Sequence, residues 1–112
     1  MPQVPGRPAR DAEGTAPLLA LFDVLGRRWA LRIVWELRAD SMTYRELAAQ
    51  VPGMSTSVLT QRLRELRAAG LVMHEHGAGY RLTASGTDLL THLAPLREWA
   101  ERVWFDSLYS KQ

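Results

Sequence analysis

The apolar positions of this chain fall into short blocks, each with its own period. Leu18, Leu19, Phe22 and Leu25 recur at helical spacing after Thr15-Ala16-Pro17, where threonine is a candidate cap and proline sits near the first turn. Gly26 ends that block. Trp29, Ile33 and Leu37, with Val34 beside them, mark one face of a second helix expected over residues 28–39, and Arg28, Arg32 and Arg38 fall on other faces. Thr43-Tyr44-Arg45-Glu46 has the form of a capping box and predicts a short helix to Gln50 with Leu47 and Ala48 inward. Val51-Pro52-Gly53-Met54 reads as a turn. Ser55 then caps a longer helix from Thr56 to Ala69, closed by Gly70, in which Leu59, Leu63 and Leu66 share one face and form core.

Leu71 to His76 and Tyr80 to Thr83, joined by Gly77-Ala78-Gly79, read as a β-hairpin. Thr83 caps a last helix running to about Leu108, with a kink or break expected near Pro95. Two helices joined by a short turn containing glycine make a helix-turn-helix, and a hairpin directly behind it is a wing. The expected fold is therefore mainly α with a small β-hairpin wing, a winged helix-turn-helix over residues 15–110. Residues 1–14 carry three prolines, two glycines and almost no large apolar side chain, so they are expected to form a disordered arm. Such an arm is a solvated tail or, in the sharper reading, an arginine-bearing extension into a DNA minor groove.

The helix after Ser55 carries the candidate chemistry. Its leucines face the core, which leaves Thr56, Ser57, Thr60, Gln61 and Arg64 on the opposite side, with Glu65 off to one side. Such a face suits a DNA major groove, where Gln reads adenine, Arg reads guanine, and Ser or Thr bonds phosphates; the plainer reading is a solvated surface.

Composition changes this picture only in part. The 112 residues carry 14 Lys+Arg against 12 Asp+Glu, a formal charge of +2, which as a total is too small to argue for nucleic acid. The distribution is more informative. Arg27, Arg28, Arg32 and Arg38 outnumber Asp23 and Glu36 early in the domain, whereas residues 83–112 are slightly acidic. Arginine supplies every basic residue except Lys111, and arginine is the side chain suited to bidentate phosphate and guanine contacts, although a GC-rich genome produces the same bias. There is no cysteine, so disulfides, thiolate metal sites and thiol switches are excluded. No apolar run approaches the ~20 residues of a membrane span, and no secretory apolar stretch stands at the start. A soluble cytoplasmic domain without membrane association is the expectation.

From Leu21 to about Trp99 the chain resembles the HxlR-type family of bacterial winged helix-turn-helix transcriptional regulators, relatives of the MarR group. The carriers are Leu25-Gly26-Arg27-Arg28-Trp29 with Ile33 to Leu37, Tyr44-Arg45-Glu46-Leu47, and Ser55-Thr56-Ser57-Val58-Leu59-Thr60-Gln61-Arg62-Leu63-Arg64-Glu65-Leu66 running into Ala69-Gly70-Leu71-Val72. Tyr80-Arg81-Leu82-Thr83, Gly86 and Trp99 complete the order. The resemblance implies a homodimer built from the first and last helices, bound to a palindromic double-stranded operator and acting as a repressor. By position, Ser55, Thr56, Ser57, Thr60, Gln61 and Arg64 are its recognition face, Arg62 a brace and phosphate contact, and Arg45 and Arg81 further DNA contacts. Many members sense oxidants through a cysteine before the first helix, a mechanism excluded here. The wing is short and lacks a basic tip, and Thr43 stands where arginine is common. These departures favour fewer backbone contacts, and they support the alternative of a protein-interaction or ligand-sequestering module without specific DNA binding.

The last helix carries Leu89, Leu90, Leu93, Leu96, Trp99, Val103 and Trp104, a stripe too long for one small core. With Leu18, Leu21 and Phe22 it predicts a surface for a second copy of the chain. Trp29 and Trp35 are placed at the same seam as Trp99 and Trp104; they pack the interface or line a pocket for a small aromatic or apolar effector. His74 and His76 share one face of a strand, but two imidazoles fall short of a zinc site, so no metal or other cofactor is expected. No nucleophile elbow, phosphate-cradling glycine loop or HExxH motif is present, and no catalysis is expected.

Overall fold

Three helices begin on the hydrogen bonds that their sequences predict. Thr43 accepts from the Glu46 N–H at 3.1 Å while Glu46 Oε1 accepts from the Thr43 N–H at 2.8 Å, a complete capping box. Ser55 Oγ accepts from the Val58 N–H at 3.2 Å, and Thr83 Oγ1 from the Gly86 N–H at 3.0 Å. Each bond satisfies a backbone donor that the first helical turn leaves unpaired. The structure, a computed structural model, describes residues 14–109. The arm expected over residues 1–14 lies, Gly14 apart, outside the described residues.

The elements run α1 (Ala16–Leu25), α2 (Ala30–Glu36), α3 (Tyr44–Gln50), α4 (Thr56–Ala68), β1 (Val72–Glu75), β2 (Gly79–Leu82), α5 (Ala84–Trp99), a π-helical turn (Ala100–Trp104) and α6 (Phe105–Tyr109). The two strands pair antiparallel, with Val72 opposite Leu82 and Glu75 opposite Gly79. Met42, in the connection between α2 and α3, exchanges both backbone hydrogen bonds with Tyr80, at 2.7 and 2.9 Å, and so adds a one-residue third strand. Ile33 and Val34 of α2 with Leu37 at its end, Leu47 of α3, Leu59, Leu63 and Leu66 of α4, and Leu71, Val72 and Leu82 at the base of the hairpin form a single buried cluster. This is the expected winged helix-turn-helix. Its core fastens α4 by one face and the wing by its base.

Thr83 joins three parts at once. Its N–H donates to the Leu71 carbonyl at 3.0 Å and its hydroxyl to the Gly70 carbonyl at 2.6 Å, while the same oxygen caps α5. The end of α4, the wing and the start of α5 are thereby tied together.

Three helices differ from the sequence expectation: at the start of α1 Thr15 has helical backbone angles and its side chain makes no capping bond, and the second and last helices differ in extent or regularity. The second helix is shorter than residues 28–39, because Trp29 adopts a left-handed conformation with φ +79° and regular helix starts only at Ala30. Its end tightens as well. The Leu37 N–H is shared between the Ile33 and Val34 carbonyls at 3.2 Å each, and the Arg38 N–H reaches back only three residues to Trp35. The last helix runs through Pro95 and is irregular five residues later, in the π-helical turn. Pro95 and Thr91 are both exposed, so water can solvate the Thr91 carbonyl that proline cannot serve.

Candidate nucleic-acid interface

Helix α4 meets the core through Leu59, Leu63 and Leu66 and turns Thr56, Ser57, Thr60, Gln61 and Arg64 to solvent. Ser55, also exposed, stands at its start, with its hydroxyl 3.3 Å from that of Ser57. The preceding helix holds this face in place. The Tyr44 hydroxyl of α3 donates to the Thr56 carbonyl at 2.8 Å and lies 3.0 Å from Thr60 Oγ1, so Tyr44 pins the first turn and a half of α4. The sequence reading missed this role for Tyr44, because its partners lie 12 and 16 residues further on and no periodic pattern links them.

The second half of the face is organised around Glu65, the single acid of α4. Its carboxylate accepts from Gln61 Nε2 at 2.9 Å, Arg62 Nη1 at 3.1 Å and Arg27 Nη1 at 3.4 Å. The Gln61 hydrogen bond, helped by the Arg27 and Arg62 guanidiniums and opposed by desolvation, holds the Glu65 carboxyl below its ordinary range. The group therefore stays ionised at neutral pH. Any stability it contributes is present above its unfolded-state pKa and lost as the pH falls through the lower folded value. Gln61 in turn accepts from Arg64 Nη1 at 2.9 Å. Glu65, expected off to one side, is thus bonded to a residue of the exposed polar face.

Arg62 is only 18% exposed at its side chain, and its Nε donates to the Arg28 carbonyl at 2.8 Å. It braces α4 against the corner between α1 and α2, the first of the two roles expected of it. Arg45 is exposed on α3. Arg81 is paired across the hairpin with Glu75 at 3.0 Å, with both side chains still largely exposed. Arg67 was absent from the expected set, yet it lies beside Arg64 and His74 in a shallow groove between α4 and β1. His74 packs edge-on against the Tyr80 ring, with centroids 4.7 Å apart. Among the described residues no three His, Cys, Asp or Glu side chains are grouped to hold a metal ion.

The apolar candidates separate into two places. Leu93 and Leu96 line a groove of about 330 Å³ with Leu31, Trp35, Leu90 and Arg97, between α2 and α5. Trp35 carries the Arg38 guanidinium 4.0 Å from its ring centroid and that of Arg97 at 5.3 Å. Leu18 and Phe22 on α1, and Trp99, Val103 and Trp104 beyond the groove, are each about half exposed, while Leu21 is partly covered. Trp29 does not join them. It packs against the core, with its ring edge beside Gly53 in the turn between α3 and α4. Among the described residues no helix is long and apolar enough to cross a membrane.

Comparisons with known proteins agree with this geometry. Residues 24–107 match the HxlR-like helix-turn-helix family. The uncharacterized HTH-type transcriptional regulator YvaP of Bacillus subtilis is 33% identical over 90 residues, which is 75% of this chain and 82% of that protein. Among solved structures, quinone-bound YodB from B. subtilis superposes with a TM-score of 0.72 at 28% identity, covering 77% of this chain and 97% of that one. A MarR-family regulator from Enterococcus faecalis V583 gives a TM-score of 0.74 at 26% identity, over 93% and 98% of the two chains. The family match spans most of the chain and the relatives share one description, so this chain belongs to the HxlR-like helix-turn-helix family of DNA-binding transcriptional regulators.

Proposed function

We propose that the chain is a cytoplasmic repressor that binds its operator as a homodimer and leaves it when a small aromatic or apolar ligand binds. The observation that carries DNA reading is the outward face of α4. Thr56, Ser57, Thr60, Gln61 and Arg64 are exposed on a helix whose opposite side is locked into the core and whose start is pinned by Tyr44. Ser55, Arg45 and Arg67 extend this face as phosphate contacts, while Arg62 acts from behind it as a brace. Arg81 is a further contact from the wing, and with Glu75 paired to it at the surface the wing adds little net charge.

A mobility shift with DNA from upstream of the chain's own gene, run over a range of salt, tests the reading. The expected result is a specific complex whose affinity falls steeply with salt, because phosphate contacts release counterions. Equal affinity for every sequence would overturn it and leave the interaction module. Within that assay Arg64→Ala should lose about 1–3 kcal/mol of binding and relax discrimination at one base pair. A uniform loss on all sequences would instead make Arg64 a phosphate contact.

The effector is assigned to the groove between α2 and α5, whose size and apolar lining around Trp35 suit a small planar molecule. YodB, a structural relative, has been crystallised bound to a quinone. With no cysteine in this chain, the ligand acts here without a thiol. Homodimerisation is supported by the half-exposed Leu18 and Phe22 of α1 and the apolar residues from Leu96 onward.

A further inference from the structure

We propose that Glu65 is a positioning residue for base recognition: its carboxylate sets the orientation of the Gln61 amide and, through that amide, the guanidinium of Arg64. The inference rests on the reading that Gln61 and Arg64 face DNA bases, and it goes beyond that reading by naming what aims them.

The chemistry is directional. An ionised carboxylate only accepts hydrogen bonds, so the Gln61 group facing it must be the donor Nε2, as found at 2.9 Å. Fixing Nε2 fixes the other end of the amide as well. Oε1 then points the opposite way and accepts from Arg64 Nη1 at 2.9 Å. A glutamine reads adenine by offering one acceptor and one donor in a defined sense, and an amide free to flip presents both senses equally. Glu65 removes that ambiguity before DNA arrives, and two long side chains that are already ordered lose less freedom on binding. Capacity is left over for the bases, because Nε2 keeps a second hydrogen, Oε1 a second lone pair, and Arg64 its remaining donors.

Glu65 is itself held on two sides. Arg62 takes one of its oxygens at 3.1 Å while anchored through Nε to the Arg28 carbonyl, and Arg27 approaches the other at 3.4 Å. An acid on a DNA-facing helix repels phosphate. Here the two guanidiniums offset that repulsion and tie the unit to the corner between α1 and α2. The relay therefore runs from Arg27 through Glu65 and Gln61 to Arg64.

The test uses the full chain and duplexes that carry every single base change in the site selected by the wild type from random DNA. Glu65→Gln is expected to lower discrimination at the positions under Gln61 and Arg64 by roughly three- to tenfold. Overall affinity should hold or rise, because a negative charge leaves the interface. In a Gln61→Ala background the same change should add no further loss of discrimination. Glu65→Asp keeps the charge on Arg27 and Arg62 but draws the carboxylate back from Gln61, and it should show the same relaxation; it serves if Glu65→Gln does not fold. Unchanged base preference in both Glu65 variants, or losses that multiply with Gln61→Ala, would overturn the proposal. If the wild type selects no sequence, the failure is recognisably that of DNA reading itself, and the positioning role falls with it.

Discussion

Replacing Gly79 with alanine is expected to destabilise the domain by about 2–5 kcal/mol, the sum of a backbone and a packing cost. Gly79 opens β2 with φ +98°, a conformation that L residues adopt only with strain. A Cβ built there would also collide with the Met42 carbonyl and with the Cα of Thr43. Both neighbours are backbone and cannot rotate away. The adjacent Tyr80–Met42 bridge, which holds the wing to the start of α3, would have to open to make room. The midpoint of thermal unfolding of the variant should fall by about 8 °C or more, given about 4–8 °C per kcal/mol for a domain of this size. Gly77→Ala is the control. Gly77 has φ +86° but open space around its missing Cβ, so that variant pays the backbone part alone, about 1–2 kcal/mol. Equal losses in the two variants would show that the contact with Met42 does not matter.

What the sequence made legible and what it concealed follow from how local each signal is. Thr43, Ser55 and Thr83 act on backbone groups three residues away, and Leu59, Leu63 and Leu66 repeat on one helix, so these caps, the core face of α4 and its exposed polar face could be read from neighbours alone. The family resemblance rested on the same local motifs. The conformation of Trp29 was not legible. A bulky residue is a poor candidate for positive φ, and the Arg62 bond to the preceding carbonyl comes from 34 residues further along the chain. Glu65 was placed correctly on its helix, yet its value depends on Arg27, 38 residues upstream. Pro95 misled in the other direction. Proline penalises an interior helix by one missing donor and one clash, but at an exposed position the solvent meets part of that cost. The groove around Trp35 joins α2 to α5 and exists only once both have packed, whereas Trp29 packs on the core and does not line it.

If the proposed homodimer forms through the last helix, Trp104→Glu is expected to leave the chain monomeric and, with it, to abolish tight binding to the proposed two-half-site operator. Leu96, Trp99, Val103, Trp104, Phe105 and Leu108 are each about half exposed, an apolar density that a solitary chain has no use for. An indole removes on the order of 150–250 Å² from water when buried, and a two-fold interface counts every substitution twice. A carboxylate in its place must either stay solvated, which holds the subunits apart, or be buried without a partner, which costs more than the contact supplies. The consequence for DNA is larger than the consequence for association. A monomer places one α4 on one half-site and forfeits the second, intramolecular binding event, a loss of roughly 10²–10⁴ in apparent affinity. Trp104 lies beyond the part of α5 that packs on the core, so the helix-turn-helix itself should melt as in the wild type. Sedimentation should report a single chain, and mobility shifts should give the same affinity on a full site as on an isolated half-site. A variant that remained dimeric with wild-type operator affinity would move the interface away from the last helix. The exposed Leu18, Leu19 and Phe22 of α1 would then be the surface left to form it.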